Sequence, residues 1–430
     1  MDPQHRASSW ARWRAAAAES ARLAIDSLRT QPARSALAIV GIVIGVVTVV
    51  LVASVLAGLR NSVAELFREL GTDNVFAFHR SGDPYQPPSD REARRRPLDP
   101  ALARDLERLG DAIRDVGVQL IVPNVVNGRA LTARYGVNES DTVLVEGASS
   151  NFFDVVGADL AAGRPFTDLE DRNGARVAVV GANLARALFG AAGGESIGKS
   201  VVLGGEVYAI VGELAPRKGG FFGENRQDSV MSLPVGAVRR RFPEVEDAVL
   251  YIRSMPGRRE ETRVQTEVIL RQLRRLGPDE PNDFNLSTSD QIIAQFDRLS
   301  AAIGLVTIAL AAVSLFIGGI GIANVMVISV TERTREIGVR LAIGARRREV
   351  LRQFLLEAVL LSTVGGAAGI ALAAAIGGTI TVLAPGFSAM APLWVVVAGL
   401  LGAVGTGVVA GYLPARRAAA LDPVEALRYE

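Results

Sequence analysis

The sequence predicts an α-helical membrane protein: four transmembrane helices plus a large mixed α/β extracytoplasmic domain of two subdomains. Three observations carry this. Long stretches without a charged residue stand near both ends of the 430-residue chain. The region between them is charged, rich in strand-forming runs and long enough for a domain of its own. Arginine crowds some short connecting segments and is missing from another.

The first uncharged run is Ala36 to Leu59. As a helix it is roughly 36 Å long, against a hydrocarbon core of about 30 Å. It follows an arginine-bearing leader, but its length and the lack of an A-x-A site favour a retained span over a signal peptide. The second run covers 299–331. A third, from Ala358 to Leu413, is too long for one crossing, and Pro385, Gly386 and Pro392 divide it into spans at 358–383 and 393–413, with a short outer hairpin at 384–392.

Arginine in the short segments orients the spans. Residues 1–35 carry Arg6, Arg12, Arg14, Arg22, Arg29 and Arg34, and 332–357 carries Arg333, Arg335, Arg340 and the Arg346–Arg348 run. The 384–392 hairpin carries no charge. Both termini, including the 414–430 tail, are therefore expected in the cytoplasm of a bacterial cell, with 60–298 outside its inner membrane. Residues 1–35 are expected as an amphipathic helix anchored in the membrane lipid interface, with Trp10 and Trp13 on one side.

Composition excludes several function classes. There is no cysteine, hence no disulfide and no zinc–thiolate site. A formal charge of +2 gives no reason to expect nucleic acid. The spans hold no Asp, Glu, Lys, Arg or His, which argues against an ion-coupled carrier. They are rich in small residues instead. Gly41 and Gly45, Gly365 and Gly369, and Gly407 and Gly411 are each four apart, a spacing that lets helices approach closely. For Gly41 and Gly45 both helix packing within the chain and a dimer seam are open.

In the outer region, Asn74–Phe78, 117–122, 142–146, Val177–Val180, Ser200–Leu203, 207–211 and 248–253 read as strands. A helix is expected over 259–276, and 146–240 as an inserted lobe. Apolar residues at helical spacing on both flanks, Val63, Leu66, Phe67 and Leu70 before the domain and Ile292, Ile293 and Phe296 after it, extend the first two spans as stalk helices. The Gly-rich loop at 219–223 holds Phe221 and Phe222, which either fold back on the domain or meet a partner or lipid.

No catalytic site is expected. GGESIGKS at 193–200 matches a phosphate-binding loop letter for letter, but a helix-like run precedes it and a strand-like run follows, the reverse of what a phosphate cradle needs. The two histidines, His5 and His79, fall on opposite sides of the membrane in this topology, so they cannot share a metal.

The segment after the second span, TERTREIGVRLAIGARRREVLRQFLLEAVLLS, predicts a short helix from Glu332 to Ile343 ended by Gly344. Its aliphatic residues lie on several sides, as though to fit a groove on a cytoplasmic partner. This stretch and the terminal PARRAAALDPVEALRYE resemble the permease signature of the MacB/FtsX superfamily of ABC transporters. VEGASSNFFDVVGADLAAGRPFTDLE and IGKSVVLGGEVYAIVGEL resemble its MacB-type periplasmic domain.

The resemblance implies a permease subunit working by mechanotransmission for export or efflux. It implies a coupling helix that docks on an ABC ATPase, with Glu336, Ile337, Gly338, Arg340, Ala342, Gly344 and Ala345 matching the motif. MacB itself carries its ATPase ahead of the first span, whereas residues 1–35 hold no ATPase motif. The cytoplasmic ABC ATPase is therefore expected as a separate subunit that binds the ATP and Mg, this chain holding no cofactor. A second permease copy or paralogue and an extracytoplasmic adaptor protein are the other partners implied. The alternatives are lipoprotein release and an FtsX-like regulator of cell-wall hydrolases that does not transport.

Overall fold

The computed structural model describes residues 32–69, 73–80, 90–126, 128–190, 195–217, 226–384 and 387–428. Trp10, Trp13, Phe221 and Phe222 lie outside the described residues. The chain divides into two units, one of residues 1–59, 298–383 and 388–430, the other of 60–297 with 384–387.

Six helices matter here: α1 (Pro32–Glu69), α2 (Ser289–Glu332), α3 (Thr334–Ala342), α4 (Arg347–Leu383), α5 (Leu393–Ala419) and α6 (Pro423–Arg428). Among the described residues four, α1, α2, α4 and α5, are long and apolar enough to cross a membrane. α1 runs unbroken for 38 residues and α2 for 44.

Small residues bring the membrane helices together. Ala38, Ile42, Val46 and Val50, four apart on α1, are all at most 3% exposed. A Cβ built on Gly41 would come within 2.8 Å of the Gly318 Cα, and one on Gly45 within 3.0 Å of Leu315. Ser314 Oγ donates to the Gly41 carbonyl at 2.9 Å. The other stripes meet in the same way: Gly365 faces Ile42, Gly369 faces Val46, and on α5 Gly407 faces Ser362 and Gly411 faces Ala358. The Gly41/Gly45 face is thus covered by α2 of its own chain.

The extracytoplasmic unit is mixed α/β. Its strands are β1 (Asn74–Phe78), β2 (Ile113–Ile121), β3 (Leu144–Ala148), β4 (Val177–Val180), β5 (Ser200–Leu203), β6 (Glu206–Leu214), β7 (Val230–Pro234), β8 (Ala248–Ser254) and β9 (Asn285–Thr288). They run side by side as β9-β1-β8-β2-β3-β7-β4-β6-β5, and 133–135 and 138–140 extend the β5 edge. β3/β7 and β4/β6 are parallel, and the other pairs along this path are antiparallel. Two sheet regions are joined through the short β4–β7 pairing, Met231 to Val180 and Ser232 to Val179.

Alternation decides which side chains go to which face. On β8, Ala248, Leu250 and Ile252 enter a core with Leu106 and with Ile269 and Leu270 of the 259–273 helix. Tyr251 points the other way, to a second cluster with Phe76, Phe152 and Phe153. Phe76 lies directly across the ladder from Tyr251, and the two rings meet edge to face at 5.3 Å. In the same unit Arg60 of α1 and Asp297 of α2 form a two-pronged ion pair at 2.7 and 3.2 Å.

Candidate functional site

α3 is nine residues long and is separated from the end of α2 by the single residue Arg333. Its C-terminus is closed by backbone geometry. The Ala345 N–H donates to the Arg340 carbonyl at 3.0 Å and the Gly344 N–H to the Leu341 carbonyl at 3.2 Å. This is the paired closure that needs a left-handed residue at its centre, and Gly344 supplies it with φ +100°. Gly344 and Ala345 therefore shape the turn into α4, and the Glu349 carboxylate takes the Arg346 N–H at 3.0 Å to start that helix.

The other motif residues split between two faces of α3. Ile337 is 2% exposed and lies in the core shared with Val330, Phe354 and Ala418. Gly338 is buried against α6, where a Cβ would come within 2.5 Å of Ala426 Cβ. Ile337, one of the aliphatic residues expected to meet a partner, and Gly338 of the same motif are thus covered by the chain's own helices. Arg340 is half-buried and bridges outward and inward at once, donating to Gln353 on α4 at 2.9 Å and to Glu336 at 2.5 Å.

What remains outward is one continuous row. Arg335, Glu336, Val339, Ala342 and Ile343 are exposed, at the spacing of a single helix face. Val339 is 44% and Ile343 81% exposed, so two aliphatic side chains sit between charges on a surface that no other described part of the chain covers.

Sequence reasoning missed α6 as the support of this helix. The signal is present at its start: Asp422 caps it, taking the Val424 N–H on its side chain at 2.8 Å, and Pro423 holds the first helical position. Beside α3 and α6 is a cavity of about 320 Å³ walled by Val330, Thr334, Pro414, Arg417, Leu421 and Ala426.

The features set aside as misleading have ordinary surroundings. Residues 195–198 form a turn followed by β5, with the Lys199 ammonium 4.8 Å above the Phe189 ring and Ser196 Oγ donating to Glu213 at 2.5 Å. His79 is buried and hydrogen-bonded to Asp247. Burial pulls its pKa below the usual imidazole range, against the pull of the Asp247 charge. Among the described residues no group of three or more His, Cys, Asp or Glu is placed to hold a metal ion.

Family comparisons agree with this two-part architecture. Residues 35–267 match the family model of the MacB-like periplasmic core domain, and 308–423 match that of the FtsX-like permease C-terminal. The chain belongs to the MacB/FtsX superfamily of ABC-transporter permeases. Among relatives, this permease is 33% identical over 431 residues to the macrolide export ATP-binding/permease protein MacB of Bradyrhizobium diazoefficiens, covering 100% of this chain and 63% of that protein. It is 34% identical over 422 residues to the pyoverdine export ATP-binding/permease protein PvdT of Pseudomonas putida, covering 97% and 61%. The permease thus spans less than two thirds of these relatives' length. Among solved structures, the periplasmic region of MacB from Actinobacillus actinomycetemcomitans aligns over 55% of this chain and 97% of that one, at 18% identity and a TM-score of 0.42.

Proposed function

We propose that this permease turns ATP hydrolysis at the cytoplasmic face into movement of its extracytoplasmic domain, driving export without passing cargo through a charged conduit. The observation that carries the reading is the divided face of α3: inner residues Ile337 and Gly338 seated on the chain's own helices, outer row Arg335, Glu336, Val339, Ala342 and Ile343 uncovered. A rigidly backed, mixed apolar and charged helix face suits docking into a groove on another protein. The partner is an ABC ATPase, which binds the ATP and Mg. Arg340, joined to both Glu336 and Gln353, passes displacement of α3 to α4.

In this reading the bilayer is crossed near 36–59, 299–331, 358–383 and 393–413, with both termini and 332–357 cytoplasmic. Arginine in those segments supports the orientation. The stalk portions of α1 and α2, tied by Arg60 and Asp297, carry motion to the sheet domain. The two relatives are named for export of a macrolide and of pyoverdine, and export is the direction we assign here. A second permease copy or paralogue and an extracytoplasmic adaptor complete the assembly.

The test is purification of the tagged full chain from its own cells, identification of the ATPase retained with it, and ATP hydrolysis in nanodiscs with and without the permease. Retention of an ABC ATPase and at least a twofold change in its hydrolysis are expected. If no ATPase is retained, or its rate is indifferent to the permease, the reading is wrong.

A further inference from the structure

The helical unit buries one carboxylate that the proposed function does not use. Glu357 of α4 is 1% exposed and is flanked on its own helix by Phe354, Ala358 and Leu361, all at most 4% exposed. Its Oε1 has no hydrogen-bond partner among the described residues. Among the described residues it is ion-paired with Arg333, whose Nη1 stands 3.7 Å from Oε2, too far for a hydrogen bond. A buried carboxylate left half-satisfied is costly, and the surroundings offer a remedy not taken in this state.

Arg333 occupies a particular place. It is the one residue between the end of α2 and the start of α3, and its φ of −105° and ψ of 17° mark the break. The backbone ladder is nearly continuous across it: its N–H donates to the Ser329 carbonyl at 3.2 Å, and its carbonyl takes the Ile337 N–H at 3.0 Å. The Thr334 hydroxyl holds the Val330 and Thr331 carbonyls at 3.0 and 2.9 Å. The joint therefore bends without unravelling, and the side chain at the bend reaches the third membrane helix.

We infer that Arg333 and Glu357 are positioning residues forming a two-setting pin between the coupling helix joint and α4. One setting is the loose contact seen here. In the other the planar guanidinium fork takes both carboxylate oxygens, which its five donors and fixed geometry suit. Closing the gap to the usual charge-assisted distance needs a shift of only about 1 Å. Small displacements of this size become larger rearrangements where packed helices have two arrangements. The inference deepens the proposed function and rests on the reading that α3 receives the load.

The chain has no cysteine, so label positions can be introduced directly. Val424 on α6, outside the docking row, and Val364 on α4 are 70% and 52% exposed. Spin labels at V424C and V364C, on the full chain in nanodiscs, report by pulsed resonance the distance from α4 to α6, which packs on α3 through Ala426 and Gly338. With the ATPase and a non-hydrolysable ATP analogue, the wild-type background should change its mean distance. Glu357→Gln should retain the ATPase, lose that change and lower ATPase stimulation at least fivefold. Arg333→Lys, which keeps the charge without the fork, should behave likewise, and Arg333→Gln combined with Glu357→Gln should be no worse than either alone. A wild-type distance change and stimulation in Glu357→Gln and Arg333→Lys would overturn the pin. If the wild type retains no ATPase, the docking reading has failed, and the permease alone decides the pin. Glu357→Gln must then widen the distance distribution at least twofold, and an unchanged width overturns it.

Discussion

Ala426 stands so close to Gly338 that a methyl group built on the glycine would come within 2.5 Å of the alanine Cβ. α6 near the end of the described chain is thereby pressed onto α3, the helix that carries most of the family motif. Gly338→Val is expected to force the two apart, at a cost of about 1–3 kcal/mol as in other overpacked sites. Thermal unfolding of the purified full chain should shift downward and ATPase retention should fall. An unchanged melting temperature with full retention would show that α6 gives α3 no support.

Gly41 meets Gly318 backbone to backbone, with only 2.8 Å left for a Cβ. No flexible side chain can yield there. Gly41→Val should therefore destabilise the helical unit by about 1–3 kcal/mol. Val40, 47% exposed, sits one position away on an open face, and Val40→Leu should be nearly silent. Thermal aggregation in detergent, followed by size exclusion, compares the two; equal behaviour would contradict the close α1–α2 contact.

Arg60 and Asp297 are about half exposed, so their pair contributes roughly 0–1 kcal/mol to stability and is screened by salt. Its value is geometric, since it ties the two stalk segments. Arg60→Glu should leave the melting temperature almost unmoved while lowering ATPase stimulation two- to fivefold. Arg60→Asp with Asp297→Arg should restore most of it. Failure of the swap to rescue would show that the tie plays no part in coupling.

Glu170 is held by the Arg164 guanidinium first, and then by the Thr167 N–H and hydroxyl, so its pKa falls from the usual 4.5 to about 2. A carboxylate whose folded pKa is depressed stabilises the fold above its unfolded pKa. That contribution is lost as pH falls from about 4.5 toward 2. Glu170→Gln should be less stable than wild type at pH 6, and the gap should shrink by about half at pH 3, closing only below about pH 2. Thermal unfolding of the full chain at both pH values reads this; a constant gap would mean that Glu170 contributes through packing alone.

Much of this architecture is legible residue by residue. Charge-free runs of bilayer length mark the four long helices, and Pro392 stands where α5 begins. The strands at Asn74–Phe78, Val177–Val180 and Ser200–Leu203 have the bounds that their apolar runs suggest. The site is only partly legible. Gly344 announces its turn because a left-handed residue is needed there, a local requirement. Ile337 does not announce that it faces inward, because a nine-residue helix has too few turns for its pattern to say which apolar side meets its own chain. The α6 contact pairs Gly338 with Ala426, residues far apart in the chain, and no local periodicity encodes it. Glu357 stands one position before the uncharged run, so only the fold reveals its burial.

Pro414 is a buried residue inside α5 and cannot donate to the carbonyl four residues earlier. The last long helix is thus weakest in its own ladder a few residues before it hands over to α6. In the proposed coupling this is where α5 would yield first under a load passed from α3 through α6.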